Sequence, residues 1–275
     1  MAQEFRDPRE LIEFLTGWLR QRVGEAGAQG VIFGLSGGID SAVVCGIAAR
    51  ALGADRCLGV VMPIGNVPED EDLGHRVADE FGVRAIQPDL LPAFESLQSA
   101  LQQESAGAGL RVVSPADGGL PADGVLPADG VLPTAGVLCS ANLKPRLRML
   151  TLYYYANLLN YLVVGTGNRA ELTVGYFTKY GDSGVDLLPL ADLTKAEVRA
   201  VARELGVPAR VIDRPPSAGL WEGQTDEEEL GLTYDEIDRY LTTGSSGNDD
   251  ADRLIRQREI SSQHKRELPP SARPG

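Results

Sequence analysis

Residues 31–52 read VIFGLSGGIDSAVVCGIAARAL, and this stretch decides the fold. Residues 31–35 form a short apolar run, which is typical of a strand buried on both faces of a parallel sheet. The adjacent glycines Gly37 and Gly38 then mark a turn. Residues 41–52 are rich in small and apolar side chains and predict a helix. A strand, a glycine-rich turn and a helix in this order are typical of an open α/β sheet.

The same alternation continues along the chain. Further strands are predicted at residues 57–64, 84–87 and 161–165, and helices at 8–23, 70–81, 91–103, 143–160, 194–206, 234–241 and 252–264. Thr194 and Glu197 have the spacing of a capping box, and Gly206 marks the end of that helix. Since strands that alternate with helices form a parallel sheet covered on both faces, we predict a doubly wound, mostly parallel α/β fold.

The composition excludes several classes of function. Lys and Arg number 26 against 39 Asp and Glu, so the net charge of −13 disfavours a general nucleic-acid partner. No apolar run approaches the roughly 18 residues of a membrane span, and we expect a soluble, cytoplasmic protein without a membrane partner. The three cysteines are widely spaced and odd in number, which fits a reducing compartment.

One segment breaks the alternation. Residues 106–138 contain an imperfect tandem of LPADGV-like units, dense in Pro, Gly, Ala and Asp. Too few units are present to stack as a repeat fold, so we interpret the segment as a mobile surface insertion. The chain is expected to form a single domain over residues 1–275, with a flexible tail at residues 266–275.

The turn after the first strand has the features of an anion site. The amides at a helix start are free to bind an anion, and Ser36 and Ser41 add hydroxyls. The Gly-Lys-Ser/Thr ending of a Walker A loop is missing. Asp40 within the turn would repel a bare phosphate and therefore indicates a bridging metal ion. The simpler alternative is a glycine-rich turn that only caps the helix.

A second glycine-rich turn follows the strand at residues 161–165. Residues 165–170 match G-x-G-x-x-A, and Asp186 lies about 20 residues on, as in dinucleotide-binding folds. That interpretation is disfavoured because another glycine turn precedes it, and because Gly181, Gly184 and Pro189 interrupt the next strand.

The first turn resembles the SGGxDS loop of the N-type ATP pyrophosphatases, which cleave ATP between its α and β phosphates. The stretches GTGNRAELTVGYFTKYGD (165–182), DLLPLADLTKAEV (186–198), PSAGLW (216–221) and HKR (264–266) are similar to one member family, the NAD synthetases. The resemblance spans residues 8–268 apart from the insertion. It implies an adenine nucleotide alpha hydrolase-like fold and ATP-dependent amidation of deamido-NAD (nicotinic acid adenine dinucleotide) to NAD⁺ through an adenylated intermediate, releasing AMP and pyrophosphate.

The resemblance also implies roles for individual residues. Catalysis is assigned to Asp40, Glu171 and Lys195, and Asp40 and Glu171 are the implied Mg²⁺ ligands. ATP contacts are implied for Gly34, Leu35, Ser36, Gly37, Gly38, Ile39, Asp40, Ser41, Thr166, Lys195 and Ser217. Deamido-NAD contacts are implied for Arg146, Lys179, Asp186, His264 and Lys265. The family further implies a homodimer with the dinucleotide near the interface.

Spacing alone gives two of these residues simpler roles. Glu171 sits where a carboxylate caps a helix, and Lys195 is placed where a lysine is commonly solvated. A cation at a helix N-terminus is electrostatically unfavourable, which favours a compensating phosphate near Lys195. Arg146 and Arg148 fall on opposite sides of a helix, so only one is expected to enter the site.

Other functions stay open from the sequence. A built-in glutaminase would need a domain for which the chain has no room, so free ammonia is the expected nitrogen donor, with a separate glutaminase partner as the alternative. A sulfur transferase on the same turn would need a reactive cysteine, and Cys139 is the only candidate. A nucleotide-sensing module is the non-enzymatic alternative.

Overall fold

The computed structural model describes residues 6–65, 68–110, 139–215 and 225–272. Within these ranges no helix is both long enough and apolar enough to cross a membrane. Ser217 and most of the predicted insertion lie outside them.

Four parallel strands form the sheet of the described residues. They are β1 (Gly30–Gly34), β2 (Cys57–Val60), β3 (Arg84–Ile86) and β4 (Tyr161–Val163), in the order β3-β2-β1-β4. The chain therefore adds strands on one side of β1 and then crosses to the other side for β4. The gap between the carboxyl ends of β1 and β4 is the position at which such sheets bind ligands.

Helices surround the sheet. They are α1 (Pro8–Glu25), α2 (Ile39–Leu52), α3 (Pro68–Glu80), α4 (Leu91–Gly107), α5 (Leu143–Leu159), α6 (Arg169–Val174), α7 (Lys195–Leu205), α8 (Ala209–Ile212), α9 (Asp226–Leu230), α10 (Tyr234–Thr243), α11 (Asp249–Ser261) and α12 (Gln263–Arg266).

Both faces of the sheet are buried, as the sequence predicts. Along β1, Val31 and Phe33 belong to the core that contains α1, α2 and α7, whereas Ile32 belongs to the core under α5. Successive side chains of a strand point to opposite faces, so this division shows helices on both sides. The doubly wound α/β prediction is confirmed.

A second, smaller core lies beside the sheet. It is built by α6, α9, α10 and α11 and contains Val174, Leu230, Tyr234, Ile237 and Ile255. This core matters for function because α6 and α10 both carry side chains that reach the carboxyl end of the sheet.

Candidate active site

A cavity of about 320 Å³ opens at the carboxyl ends of β1 and β4. One part of its wall is apolar and includes Val60, Met62, Leu152 and Val164. Another part carries charged side chains, among them Asp40, Glu171, Asp182, Lys195, Asp226 and Lys265. An apolar wall beside converging charges suits a ligand that has both an aromatic base and phosphates.

The turn between β1 and α2 has the form of an anion cradle. Gly37 adopts a left-handed φ of +75°, and α2 begins after Gly38 without a side-chain cap. Ser41 Oγ donates to the Gly38 carbonyl at 2.8 Å and lies 3.2 Å from Ser36 Oγ, which fixes both hydroxyls within the turn. The amides at the start of α2 therefore face the cavity without a side-chain partner, as an anion site requires.

Three predicted catalytic residues meet beside this cradle. Lys195 Nζ lies 2.5 Å from Asp40 Oδ2 and 3.5 Å from Glu171 Oε1. Asn168 Nδ2 donates to the other Asp40 oxygen at 3.0 Å. These residues come from the starts of α2, α6 and α7, so the turns after β1 and β4 build one site.

Electrostatics couple these three groups. Burial and the nearby Asp40 charge raise the pKa of Glu171 to about 8, although the Lys195 ammonium opposes the shift. Burial lowers the pKa of Lys195, but the charges of Asp40 and Glu171 outweigh it and raise that pKa overall. Lys195 is only 1% exposed, so its charge is held in place by these carboxylates.

Glu171 caps α6, as its spacing predicts, and it also contacts the charged cluster. Its Oε2 accepts the Asn168 amide at 3.1 Å, and the Asn168 side chain accepts the Glu171 amide at 3.1 Å, which forms a capping box. Its Oε1 faces Lys195. One carboxylate thus starts α6 and contributes to the charged cluster.

Asp40 and Glu171 fit a magnesium ion. Their oxygens already converge on one cation, the Lys195 ammonium. No cluster of three or more His, Cys, Asp or Glu side chains suited to a metal occurs among the described residues. Magnesium is commonly held by one or two carboxylates, with phosphate oxygens and water completing its shell, so two carboxylates beside a phosphate cradle meet the requirement.

The predicted deamido-NAD residues fall into two places. Arg146 donates to the Lys179 carbonyl at 3.3 Å, Lys179 Nζ donates to the His264 carbonyl, and Lys265 Nζ donates to the Phe177 carbonyl at 3.0 Å. These four cationic or basic residues form one group. Asp186 lies apart from it, where its carboxylate accepts the Val163 amide at 2.8 Å and the Tyr153 hydroxyl at 3.0 Å.

Several cavity residues were missed by the sequence assignment, and Arg148 and Asp182 are two of them. Arg148 donates to the Met62 carbonyl at 3.1 Å and lines the cavity, and burial lowers its pKa to about 10. Asp182 also lines the cavity, and burial raises its pKa although the Thr178 amide donates to it at 2.9 Å. Helical spacing places Arg146 and Arg148 on opposite sides without saying which side faces the site.

Comparison with known proteins gives a consistent result. The sequence profile of a family described as NAD synthase matches residues 11–114 and 128–269, and the gap falls within the tandem repeat. An NH₃-dependent NAD⁺ synthetase of Carboxydothermus hydrogenoformans is 44% identical over 260 residues, covering 94% of this chain and 96% of that protein. One from Archaeoglobus fulgidus is 41% identical over 272 residues, covering 96% of each.

Solved structures agree on the fold. A structure described as NMN synthetase from Francisella tularensis has a TM-score of 0.82 at 32% identity, covering 98% of this chain and 99% of the other. The NAD⁺ synthetase from Burkholderia pseudomallei has a TM-score of 0.71 at 29% identity, covering 98% and 93%.

Proposed function

Because the chain belongs to the NAD synthase family, we propose that the cavity described above is the place where it amidates deamido-NAD. The reaction is an ATP-dependent amidation with ammonia as the nitrogen donor, and its product is NAD⁺. The enzyme is a ligase that forms a carbon–nitrogen bond. The observation that carries the assignment to this cavity is the convergence of Asp40, Glu171 and Lys195 beside an uncapped helix start.

The first half-reaction activates the carboxylate of deamido-NAD. A carboxylate is a poor electrophile, so it attacks the α phosphate of ATP and expels pyrophosphate, giving an acyl adenylate. The amides of the first turn and the Lys195 ammonium stabilise the charge on the transferring and leaving phosphates. Mg²⁺, held by Asp40 and Glu171, would supply further neutralisation of that charge.

The second half-reaction forms the amide. Ammonia attacks the adenylated carbonyl, AMP leaves with the electron pair of the broken C–O bond, and the nitrogen releases a proton. Asp182 is suited to accept this proton because its carboxylate lines the cavity and burial raises its pKa. Arg146, Lys179 and Lys265 offer positive charge for the dinucleotide, and His264 offers ring nitrogens for hydrogen bonds.

Product analysis tests the function directly. The protein is incubated with deamido-NAD, ATP, Mg²⁺ and ammonium, and mass spectrometry is used to find a product about one mass unit lighter than deamido-NAD. Asp40→Asn is expected to lose at least about 100-fold in rate, as for removal of one strong electrostatic contact. Asp250→Asn, which changes a carboxylate that is 84% exposed, is the control. Equal rates for Asp40→Asn and the wild type would remove Asp40 from the mechanism.

A shorter acid substrate is the alternative to examine. The Francisella structure is described as NMN synthetase, and by the same chemistry NMN would arise from nicotinic acid mononucleotide. We expect deamido-NAD to have the higher kcat/KM, since relatives at 40–44% identity are NAD⁺ synthetases. A higher kcat/KM with the mononucleotide would reassign the substrate.

The quaternary state proposed for the chain is a homodimer. Leu150, Tyr154 and Leu158 recur every four residues on α5 and are each more than 60% exposed. Such a contiguous apolar stripe on a helix is typical of a surface that packs against a second copy.

We also propose a cytoplasmic location. All three cysteines are free thiols, and two of them are buried. Free thiols in this number fit a reducing compartment.

A further inference from the structure

Lys195 occupies an unfavourable place for a cation. It is the first residue of α7, where the helix dipole is positive and the backbone amides lack partners within the helix. The carboxylate of Asp238, which lies on α10, resolves both problems. Its Oδ1 accepts the Lys195 amide at 3.1 Å, and its Oδ2 accepts the Ala196 amide at 2.8 Å.

The remaining amide of this first turn is also satisfied. Glu197 N donates to Thr194 Oγ1 at 3.3 Å, and Thr194 N donates to Glu197 Oε2 at 3.0 Å. The start of α7 is therefore closed by protein carboxylates and a hydroxyl, unlike the start of α2. The helix α7 therefore presents the Lys195 side chain to a ligand, and its backbone amides are not available for binding.

The same helix supports the far end of Lys195. Tyr234 lies one turn before Asp238 on α10, and the Lys195 nitrogen lies 4.7 Å from the centre of its ring. The Tyr234 hydroxyl is 3.0 Å from Asp226 Oδ2 and 3.4 Å from Glu171 Oε1. Tyr234 and Asp238 are 1% and 2% exposed, so neither side chain has another conformation open to it without unpacking.

We propose that Asp238 and Tyr234 are positioning residues that hold the Lys195 ammonium between Asp40 and Glu171. The inference rests on the proposed function, because it assumes that Lys195 acts on ATP. A lysine side chain loses much of its rotamer entropy when it is fixed. Packing against α10 removes this rotamer freedom during folding, so that less of it is lost when the triphosphate binds.

Steady-state kinetics test the proposal. Asp238→Asn keeps the size of the side chain but turns an amide donor toward one of the two backbone amides. It is expected to lower kcat by about 10- to 100-fold, the usual effect of a misplacement of about 1 Å. The KM for deamido-NAD stays within about twofold of the wild type, since uniform substrate binding is untouched.

A matched control separates positioning from a structural role. Glu236 lies on the same helix and also caps a helix start, accepting the Thr233 amide at 3.0 Å, but it does not contact Lys195. Glu236→Gln is expected to lower the melting temperature as Asp238→Asn does while leaving kcat unchanged. Equal kcat for the wild type and Asp238→Asn overturns the proposal, as does an equal loss of kcat in Glu236→Gln.

A second variant covers the case in which Asp238→Asn does not fold. Tyr234→Phe retains the ring under Lys195 and removes only the hydroxyl. It is expected to lower kcat about fivefold, the effect of one hydrogen bond. Tyr240→Phe, on the same helix with its hydroxyl 3.2 Å from Arg256, is the control and leaves kcat unchanged. Wild-type kcat in Tyr234→Phe contradicts the role of that hydroxyl.

ATP binding, measured by calorimetry, distinguishes failure of this inference from failure of the proposed function. Asp238→Asn is expected to weaken ATP binding when Lys195 is present and to have no further effect in Lys195→Ala. If the wild type binds ATP but makes no NAD⁺, the proposed function fails. The effect of Asp238→Asn on ATP binding with and without Lys195 still tests the positioning role in that case. Equal weakening by Asp238→Asn in both backgrounds overturns the positioning role.

Discussion

At the residue scale, the three thiols differ sharply in their surroundings. Burial raises the pKa of Cys45 and of Cys57 to about 12, whereas Cys139 is exposed. Thiolates are the reactive form, so the two buried cysteines are inert at neutral pH. Only Cys139 has the access that a persulfide carrier would need.

We predict that a thiol reagent such as Ellman's reagent modifies one cysteine in the native protein and three after denaturation. Cys139→Ala should abolish the native reaction and leave NAD⁺ formation unchanged, because Cys139 takes no part in the proposed mechanism. The corresponding control is Cys45→Ala, which should leave native modification unchanged. Loss of turnover in Cys139→Ala would favour the sulfur-transfer alternative.

Lys195 shows how far reasoning from the sequence extends at this scale. Its position after the Thr194 cap predicts a cation that needs negative charge nearby, and the capping box is confirmed. The sequence suggests a phosphate, whereas the structure places Asp40, Glu171 and Asp238 around the residue. Two of these carboxylates come from elements more than 40 residues away, so only the tertiary fold could identify them.

At the element scale, the turn before α2 depends on one glycine. Gly37 has φ of +75°, and a Cβ added there would lie 2.6 Å from the Asp70 carbonyl oxygen. An alanine would therefore meet backbone strain and a clash with backbone atoms of α3, which cannot move independently.

We predict that Gly37→Ala destabilises the protein by more than about 2 kcal/mol and weakens ATP binding, because the cradle must shift. Gly27→Ala is the matched control. Gly27 has φ of +65° but no atom within 4 Å of an added Cβ. Gly27→Ala should therefore lower the free energy of unfolding by only about 1 kcal/mol, through backbone strain alone. Denaturant titration measures the free energy of unfolding, and calorimetry measures ATP binding. An equal loss of unfolding free energy in Gly37→Ala and Gly27→Ala would contradict the predicted clash.

The start of α7 is also tied to the N-terminal segment. Arg6 donates to both carboxylate oxygens of Glu197 at 2.8 Å and to Asp192 at 2.9 Å. Burial opposes the shift, but the hydrogen bonds from Arg6 and the Thr194 amide hold the pKa of Glu197 below its usual range. A lowered carboxyl pKa stabilises the folded state above the unfolded pKa and loses that contribution as the pH falls.

We predict that Arg6→Ala lowers the free energy of unfolding by about 1–2 kcal/mol at pH 7, since half-exposed charged hydrogen bonds are partly screened. The difference in the free energy of unfolding between Arg6→Ala and the wild type should become smaller below about pH 4, where Glu197 becomes protonated. Arg9→Ala is the control. It removes an ion pair with Glu204, which lies on the same helix as Glu197, and this pair is more exposed than that of Arg6. It should therefore lower the free energy of unfolding by less than Arg6→Ala does. A pH-independent difference would show that Glu197 does not carry the effect.

The elements themselves were largely predictable, and their ends were less so. The strand predicted at 57–64 pairs only over Cys57–Val60, because the chain then turns to line the cavity. The helix predicted at 252–264 begins at Asp249, since the Asn248 side chain accepts the Asp250 amide at 3.1 Å. That cap was visible in the sequence. The short helices α8 and α9 have too few residues to show a period.

At the scale of the whole molecule, α5 links the fold to the proposed dimer. Its inner face packs on β1 and β4, while Leu150, Tyr154 and Leu158 point outward. The helix therefore has apolar residues on two sides, one buried in the chain and one exposed.

We predict that Leu150→Glu converts the proposed dimer to a monomer, because a charge would be buried at its interface. Light scattering after size-exclusion chromatography measures the mass. Phe14 is 65% exposed on α1, so Phe14→Glu is a control that should leave the mass unchanged. A Leu150→Glu variant with the wild-type mass would remove α5 from the interface.

The smaller core has a consequence for the enzyme under heat. Small packing units open at lower free energy than a whole protein, and this one contains α10. When it opens, Lys195 loses Asp238 and Tyr234 together although the sheet remains intact. Turnover should thus cease on warming before the main melting transition recorded by circular dichroism, and amides of α10 and α11 should exchange with deuterium sooner than those of β1. The upper working temperature of the enzyme is then set by the stability of the smaller core.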